Sequence, residues 1–427
     1  MSETTPAPEE PLGAGPGRAP EIPGRPPGEP EDIPEIPGAD EPPAEIDGAE
    51  FRAATGEDIG HILSLDSWRQ GPDLAGVYER LERELAEAFD QEDDLRRSLR
   101  KTIFPLISSL AHAPPGAGVY QATPADIREV QEKALFNGGV EACDGTSTFC
   151  DTLPLTIVQI GVCLVSYAGE QGSWVQRIFR RDIRNRGKNP VDEAFEILQR
   201  RHRRAGLGRT GNKDVMSELL RRGLMTYSER AVLLEKSSAP WRLGHGQPAP
   251  YELLTGSGSM ELLMTGLDVL RRLLLDHKRF VFVPSEPAER DLLTIGDALR
   301  PLEFAIVDPI GPRIHDVIHK GNLRGSYRDA ALAFYRDAAP QIVVGVYRAS
   351  RSVPPYIFYA HVDHAEEAAL IAMADSVLQE HRGFPTLIDL ADSACRSTFG
   401  GFDSTVQASY AASGRPLAYM RERQTRS

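Results

Sequence analysis

The stretch GVEACDGTS, residues 139–147, sets a carboxylate, Asp144, beside a glycine ahead of the apolar run LPLTIVQIGVCLVSYAG. An aspartate at a strand end followed by glycine can project its carboxylate from a rigid edge while the backbone turns and a ligand comes close. Alone, the dipeptide reads as a turn, because Asp-Gly is a favoured hairpin pair. A second pattern, RIHDVIHKG, spaces His315 and His319 at i, i+4 with Asp316 between them, one carboxylate short of a zinc-hydrolase motif, and HVDH adds His361 and His364. Gly311, Pro312 and Gly321 confine that helix to about two turns, so surface histidines are the plainer reading. GSGSM, residues 256–260, precedes a helix whose N-terminus attracts anions, but it lacks the spacing and lysine of a phosphate loop. Any ATP-driven motor is therefore expected to be another chain.

Twelve Lys or Arg fall between Arg177 and Lys213. Arg177, Arg180, Arg181, Arg184, Arg186 and Lys188 are candidates for salt-dependent, sequence-independent contacts with DNA phosphates. Arg200, Arg201, Arg203 and Arg204 sit at a predicted helix C-terminus, where positive charge complements the macrodipole in any case. The formal net charge of -14 does not argue against a polyanionic partner. Residues 1–50 hold thirteen acids against two arginines, which leaves the remaining body close to neutral.

The elements that must position these groups emerge from composition and period. Residues 1–48 carry thirteen prolines, many acids and almost no large apolar side chains, the composition of a disordered tail. From Asp73, Leu74, Val77, Leu81, Leu85 and Phe89 recur at helical spacing, with interruption expected at Pro105 and an end at 113–118. After Asp144 the texture is that of strands: 155–169, 279–284, 303–307, 341–348 and 356–362. Helices are predicted from Asn189 to Gly206, over 260–278 and over 364–383, with apolar faces wide enough to cover a sheet. Four cysteines without a C-x-x-C pair read as reduced core thiols. No stretch approaches the roughly 20 apolar residues of a membrane helix, and the acidic, proline-rich N-terminus is unlike a signal peptide, so no membrane partner and a cytoplasmic location are expected.

The order of these elements, an Asp-Gly followed by Thr, a long strand pair, a basic insert and then a glutamate-bearing helix, resembles the NurA family of DNA-end-processing nucleases. In that family a first-strand DGS or DGT aspartate, a helical glutamate, a second DG aspartate and a histidine in a C-terminal P-x-x-L-x-x-A-H stretch make up the site. The resemblance, over about residues 75–427, assigns the first role to Asp144 in ACDGTS and the second to Glu229 in RGLMTYSERAVLLEK. It sets Thr255 of YELLTGSGSMELL at the second aspartate. It sets Asp392 at the histidine, in HRGFPTLIDLADSACR, which keeps Gly383, Pro385, Leu387 and Ala391. Asp392 can still ligate Mg²⁺ or Mn²⁺ through oxygen, whereas Thr255 cannot supply a carboxylate's charge; Asp389, Asp363 and Glu252 are the acids available to make up the set.

The resemblance implies an α/β chain with an RNase H-like mixed sheet flanked by helices. The expected organisation is a tail over 1–48, a helical segment over 49–137 and a core over 138–427 carrying a basic insert at 177–213. The implied activity is hydrolysis of phosphodiester bonds at DNA ends, assisted by Mn²⁺ or Mg²⁺ on Asp144, Glu229 and Asp392. The chain is expected to act as a homodimer docked on a HerA-type hexameric ATPase, in DNA repair or defence. A catalytically degenerate adaptor that keeps the fold and the docking surface is the alternative, and a zinc hydrolase built on His315 and His319 the weaker one.

Overall fold

The computed structural model describes residues 47–69, 71, 74–151, 155–181, 189–195, 217–286, 291–321 and 323–414. Apart from residues 47 and 48, the tail lies outside this range, as do Arg184, Arg186, Lys188 and the basic residues between 196 and 216. Contacts divide the chain into two units, 1–84 and 85–427. In the first, Asp47 and Asp58 cap the short helices α1 (Gly48–Thr55) and α2 (Ile59–Leu63) by accepting backbone N–H bonds. The long helix α3 (Leu74–Thr102) ends before Pro105, which sits in the first turn of the four-residue α4 (Phe104–Ile107).

The second unit is built on one nine-stranded sheet in the order β1-β7-β8-β9-β6-β5-β2-β3-β4. The strands are β1 (Gly118–Gln121), β2 (Val140–Asp151), β3 (Leu155–Ser166), β4 (Gly169–Arg181), β5 (Trp241–His245), β6 (Phe280–Val283), β7 (Glu303–Pro309), β8 (Ile342–Arg348) and β9 (Tyr356–His361). β2, β3 and β4 form an antiparallel meander, and β5 and then β6 add in parallel on the other side of β2. That winding is the RNase H-like arrangement, here extended by the antiparallel strands β9, β8, β7 and β1.

All five strands expected from apolar runs are present. Four were not separated in the sequence: β1, the full length of β2, β4 within the basic stretch, and the five-residue β5. Asp144-Gly145 is not a turn, because it lies inside the twelve-residue β2, with Asp144 opposite Cys163 and Gly145 opposite Val162.

Helices cover both faces of the sheet. On one face α5 (Pro124–Val130), α13 (Ala365–Ser376) and α14 (Thr386–Phe399) pack on Ala142, Leu243, Val281 and Val283. On the other, α7 (Glu218–Glu235), α8 (Tyr251–Thr255), α9 (Met260–Arg271), α11 (Gly311–Lys320) and α12 (Ser326–Ala338) pack on Cys143, Val162, Leu164, Phe280 and Phe282. The chain between β4 and α7 has a described helical piece, α6, over 190–195. α10 (Leu292–Asp297) packs on β8 and β9, and α15 (Phe402–Ala412) closes the described chain. Cys143, Cys163 and Cys395 are buried free thiols, as expected of core cysteines, whereas Cys150 is only half-buried. No described helix is long and apolar enough to cross a membrane.

Candidate active site

The parallel β2–β5 ladder pairs Val140–Cys143 with Trp241–Gly244 and stops there. Asp144 and Gly145 are therefore the first residues of β2 beyond that ladder, at the carboxyl end of the parallel pair, where open α/β sheets form their ligand crevice. Side chains alternate across a strand. Ala142 belongs to the core under α13 and α14 and Cys143 to the core under α7, so Asp144 faces the α14 side and Gly145 the α7 side. Asp144 is buried, and its Oδ1 accepts the Gly145 N–H at 2.9 Å.

Glu229 reaches the same point from the opposite face. α7 starts on a Ser217 cap and turns Gly223, Thr226, Glu229, Arg230 and Leu233 inward, so Glu229 is buried rather than on a solvated helix face. A side-chain carbon at residue 145 would lie 2.7 Å from Glu229 Oε1 and 3.1 Å from its Cγ. Glycine at 145 is therefore what lets the helix carboxylate enter the edge that Asp144 occupies.

His245, the last residue of β5, completes the cluster. Its Nδ1 lies 3.4 Å from Asp144 Oδ1 and its Nε2 3.1 Å from Ser285 Oγ, and its ring meets the edge of Phe384. The sequence reading passed over this residue. Its signal was the short GHG at the end of WRLGHG, which sets a half-buried imidazole at the last position of a short strand.

Burial drives the electrostatics. The Glu229 carboxyl is pushed up to about 7, burial being the largest cause and the Asp144 charge adding to it, while the neighbouring Arg230 pulls the other way. For His245, burial opposes the charged imidazole, but the hydrogen bond and charge of Asp144, with the charge of Glu229, outweigh it and raise its pKa.

Arg230 is the counter-charge. Its guanidinium is buried, with Nη1 donating to Glu229 Oε2 at 2.5 Å and Nη2 donating to the carbonyls of Gln247 at 2.6 Å and His245 at 3.3 Å. Its Cζ lies 5.2 Å from the centroid of the Phe282 ring.

These groups open into a cleft of about 890 Å³ that also contains Glu252, Asp389 and Asp392. Each of those acids already has an arginine: Glu252 with Arg222 at 2.8 Å, Asp389 with Arg382 at 2.5 Å and Asp392 with Arg396 at 2.8 Å. The structure thus brings Asp144 and Glu229 together, and sets Asp392 in the same cleft but half-exposed on α14 and tied to its own helix. Thr255 takes no part in the cluster: its hydroxyl donates to the Tyr251 carbonyl within α8. Asp363 lies apart, bound to Lys278.

The donors at the strand ends, two carboxylates and an imidazole, are of the kind that Mn²⁺ and Mg²⁺ accept, and Glu229 Oε1, clear of Arg230, fills the space above Gly145. Their chemistry fits a divalent ion. Among the described residues, however, no three His, Cys, Asp or Glu groups are already gathered at ligand geometry, and the Arg230 contact of Glu229 is one physical reason.

The histidine pair does not build a zinc site. His315 and His319 lie on α11 with ring centroids 4.1 Å apart, His315 also packs on Tyr335, and Asp316 is held by Lys320. Of the expected DNA contacts, Arg177, Arg180 and Arg181 lie on the edge strand β4. Alternation puts Arg177 and Arg181 on one face and Arg180 on the other, and Arg177 Nε donates to Gln159 Oε1 at 2.8 Å.

No family model and no curated protein matches the chain. Among solved structures, it is similar to the NurA nuclease from Sulfolobus solfataricus, at 9% identity and a TM-score of 0.41, over 80% of this chain and 99% of that one. A NurA structure with manganese matches at 11% identity and a TM-score of 0.39, over 78% and 98%. Endonuclease V from Ciona intestinalis, in complex with inosine-containing DNA, matches at 10% identity and a TM-score of 0.25, over 65% and 95%.

Proposed function

We propose that this chain is a NurA-like nuclease that hydrolyses phosphodiester bonds at DNA ends, with Asp144, Glu229 and His245 as the ion-holding groups. The observation that carries this reading is a shared cleft: three side chains from three separate elements, β2, α7 and β5, line it where the β2–β5 ladder stops. A bound Mn²⁺ or Mg²⁺ there would lower the pKa of a water and neutralise charge on the leaving oxygen. The chain's own groups do the positioning. The Gly145 N–H orients Asp144, and Arg230 holds one oxygen of Glu229 so that the other is presented over Gly145. The rim arginines Arg222, Arg382 and Arg396 can exchange their carboxylate partners for backbone phosphates, which orders the strand in the cleft without reading its bases. Asp392 is a neighbour of the site in this reading, within reach of an incoming strand. A homodimer working with a HerA-type ATPase follows from the sequence resemblance and belongs to the same proposal.

A second reading is favoured by one observation, the Glu229–Arg230 pair, which balances the site's charge with no ion. In it the chain is a degenerate adaptor that holds DNA or the ATPase and no longer cuts. Incubating end-labelled linear DNA with the protein in Mn²⁺, in Mg²⁺ and in chelator, with and without the ATPase, separates the two. Metal-dependent shortening supports the nuclease. Binding of DNA or ATPase with no cutting in any metal supports the adaptor and overturns the nuclease.

A further inference from the structure

We propose that Arg230 is a built-in competitor for the divalent ion: a positioning residue that neutralises Glu229 in the ion-free protein and so keeps ion affinity low. The inference rests on the reading of Asp144 and Glu229 as ligands. A buried carboxylate without a partner is costly, and a paired one is tolerated. Two such carboxylates in one buried cleft need a proton or a cation to offset their charge. In this chain the cation is covalently supplied, one residue along α7 from Glu229, and is itself only 2% exposed.

The guanidinium cannot simply swing away. Its Nη2 is fastened to the carbonyls of His245 and Gln247, so one arginine ties α7 to the end of β5 and fixes the spacing between Glu229 and His245. Its planar fork is what allows a carboxylate and two carbonyls to be held together; a lysine ammonium has no such geometry. Its Nε is buried with no hydrogen-bond partner, so the group is incompletely satisfied where it stands. An incoming ion must therefore share Glu229 with a fixed positive charge a few ångströms away. It meets a site holding two carboxylates and one guanidinium instead of two carboxylates alone.

The test is Mn²⁺ binding to the full-length protein, read from the EPR signal of free Mn²⁺, for wild type, Arg230→Gln and Arg230→Lys. Removing the fixed charge is expected to tighten binding by at least about tenfold in Arg230→Gln. Arg230→Lys keeps the charge but cannot hold Glu229 and both carbonyls, so its affinity falls between the two. Arg230→Gln also leaves Glu229 buried without a partner, so its melting temperature without metal is expected to fall and to recover on adding Mn²⁺ by more than wild type gains. Unchanged or weaker Mn²⁺ binding in both variants overturns the proposal and makes Arg230 a structural pin only; if wild type still binds Mn²⁺ and cuts DNA, the nuclease reading survives that result. Should Arg230→Gln fail to fold, the lysine variant alone decides, by the same sign. Absence of Mn²⁺ binding in all three proteins overturns this proposal and the nuclease reading together.

Discussion

At the scale of single residues, the site turns on what a glycine permits. Gly145 is needed less for its backbone freedom than for its missing side chain, because Glu229 occupies the place a Cβ would take. Gly145→Ala should push the glutamate out of the cluster, at a cost of about 1–3 kcal/mol in stability and with loss of Mn²⁺ affinity. Thermal unfolding and the Mn²⁺ titration check both, and an alanine variant as stable and as avid as wild type would refute the packing argument. The local pair Asp144-Gly145 was legible because both halves of the signal lie next to each other in sequence. His245 was not, because its meaning depends on β5 pairing in parallel with β2, a contact made across about a hundred residues of chain and through a strand only five residues long. Thr255, which the resemblance sets at the second aspartate, keeps its hydroxyl within α8 and leaves His245 as the group beside Asp144.

At the scale of elements, the site depends on how α13 and α14 are fastened to the sheet. Asp375, fully buried on α13, accepts from the Tyr167 hydroxyl at the β3–β4 turn and from the Leu387 N–H at the start of α14, so one carboxyl joins three elements. Burial raises its pKa to about 7, against the opposing effect of those two bonds. The sign follows from linkage: the fold binds this proton more tightly than the unfolded chain does. The contribution to stability is therefore greatest at low pH, falls as pH rises from about 4 towards 7 and is level above that. Asp375→Asn should remove this slope, so that the variant gains on wild type across that interval. Denaturant unfolding at pH 4 to 8 measures it, and parallel curves for the two proteins would contradict the assignment. The strands with long apolar runs, β3, β6, β7, β8 and β9, were legible because each is buried enough to leave an uninterrupted signature. β4 was not, because an edge strand with an exposed face carries arginines and reads as a basic surface.

At the scale of the whole molecule, charge is segregated: thirteen acids in the first fifty residues, and twelve basic residues between Arg177 and Lys213. An acidic tail competes with DNA for a basic surface wherever both can reach it, and salt screens that competition. Deleting residues 1–48 should tighten DNA binding at low salt and leave it unchanged at high salt; equal affinity at low salt would contradict the idea. The nine-stranded sheet with helices on both faces brings Asp144, Glu229 and His245 into one cleft where the β2–β5 ladder stops, the point proposed for DNA cutting. Time courses of end-labelled linear DNA in Mn²⁺, for wild type and Asp144→Asn, test it most directly, with His245→Ala and Thr255→Ala run beside them. Asp144→Asn is expected to abolish shortening of the label, His245→Ala to slow it severely and Thr255→Ala to cut as wild type does. Cutting by Asp144→Asn at the wild-type rate would contradict it.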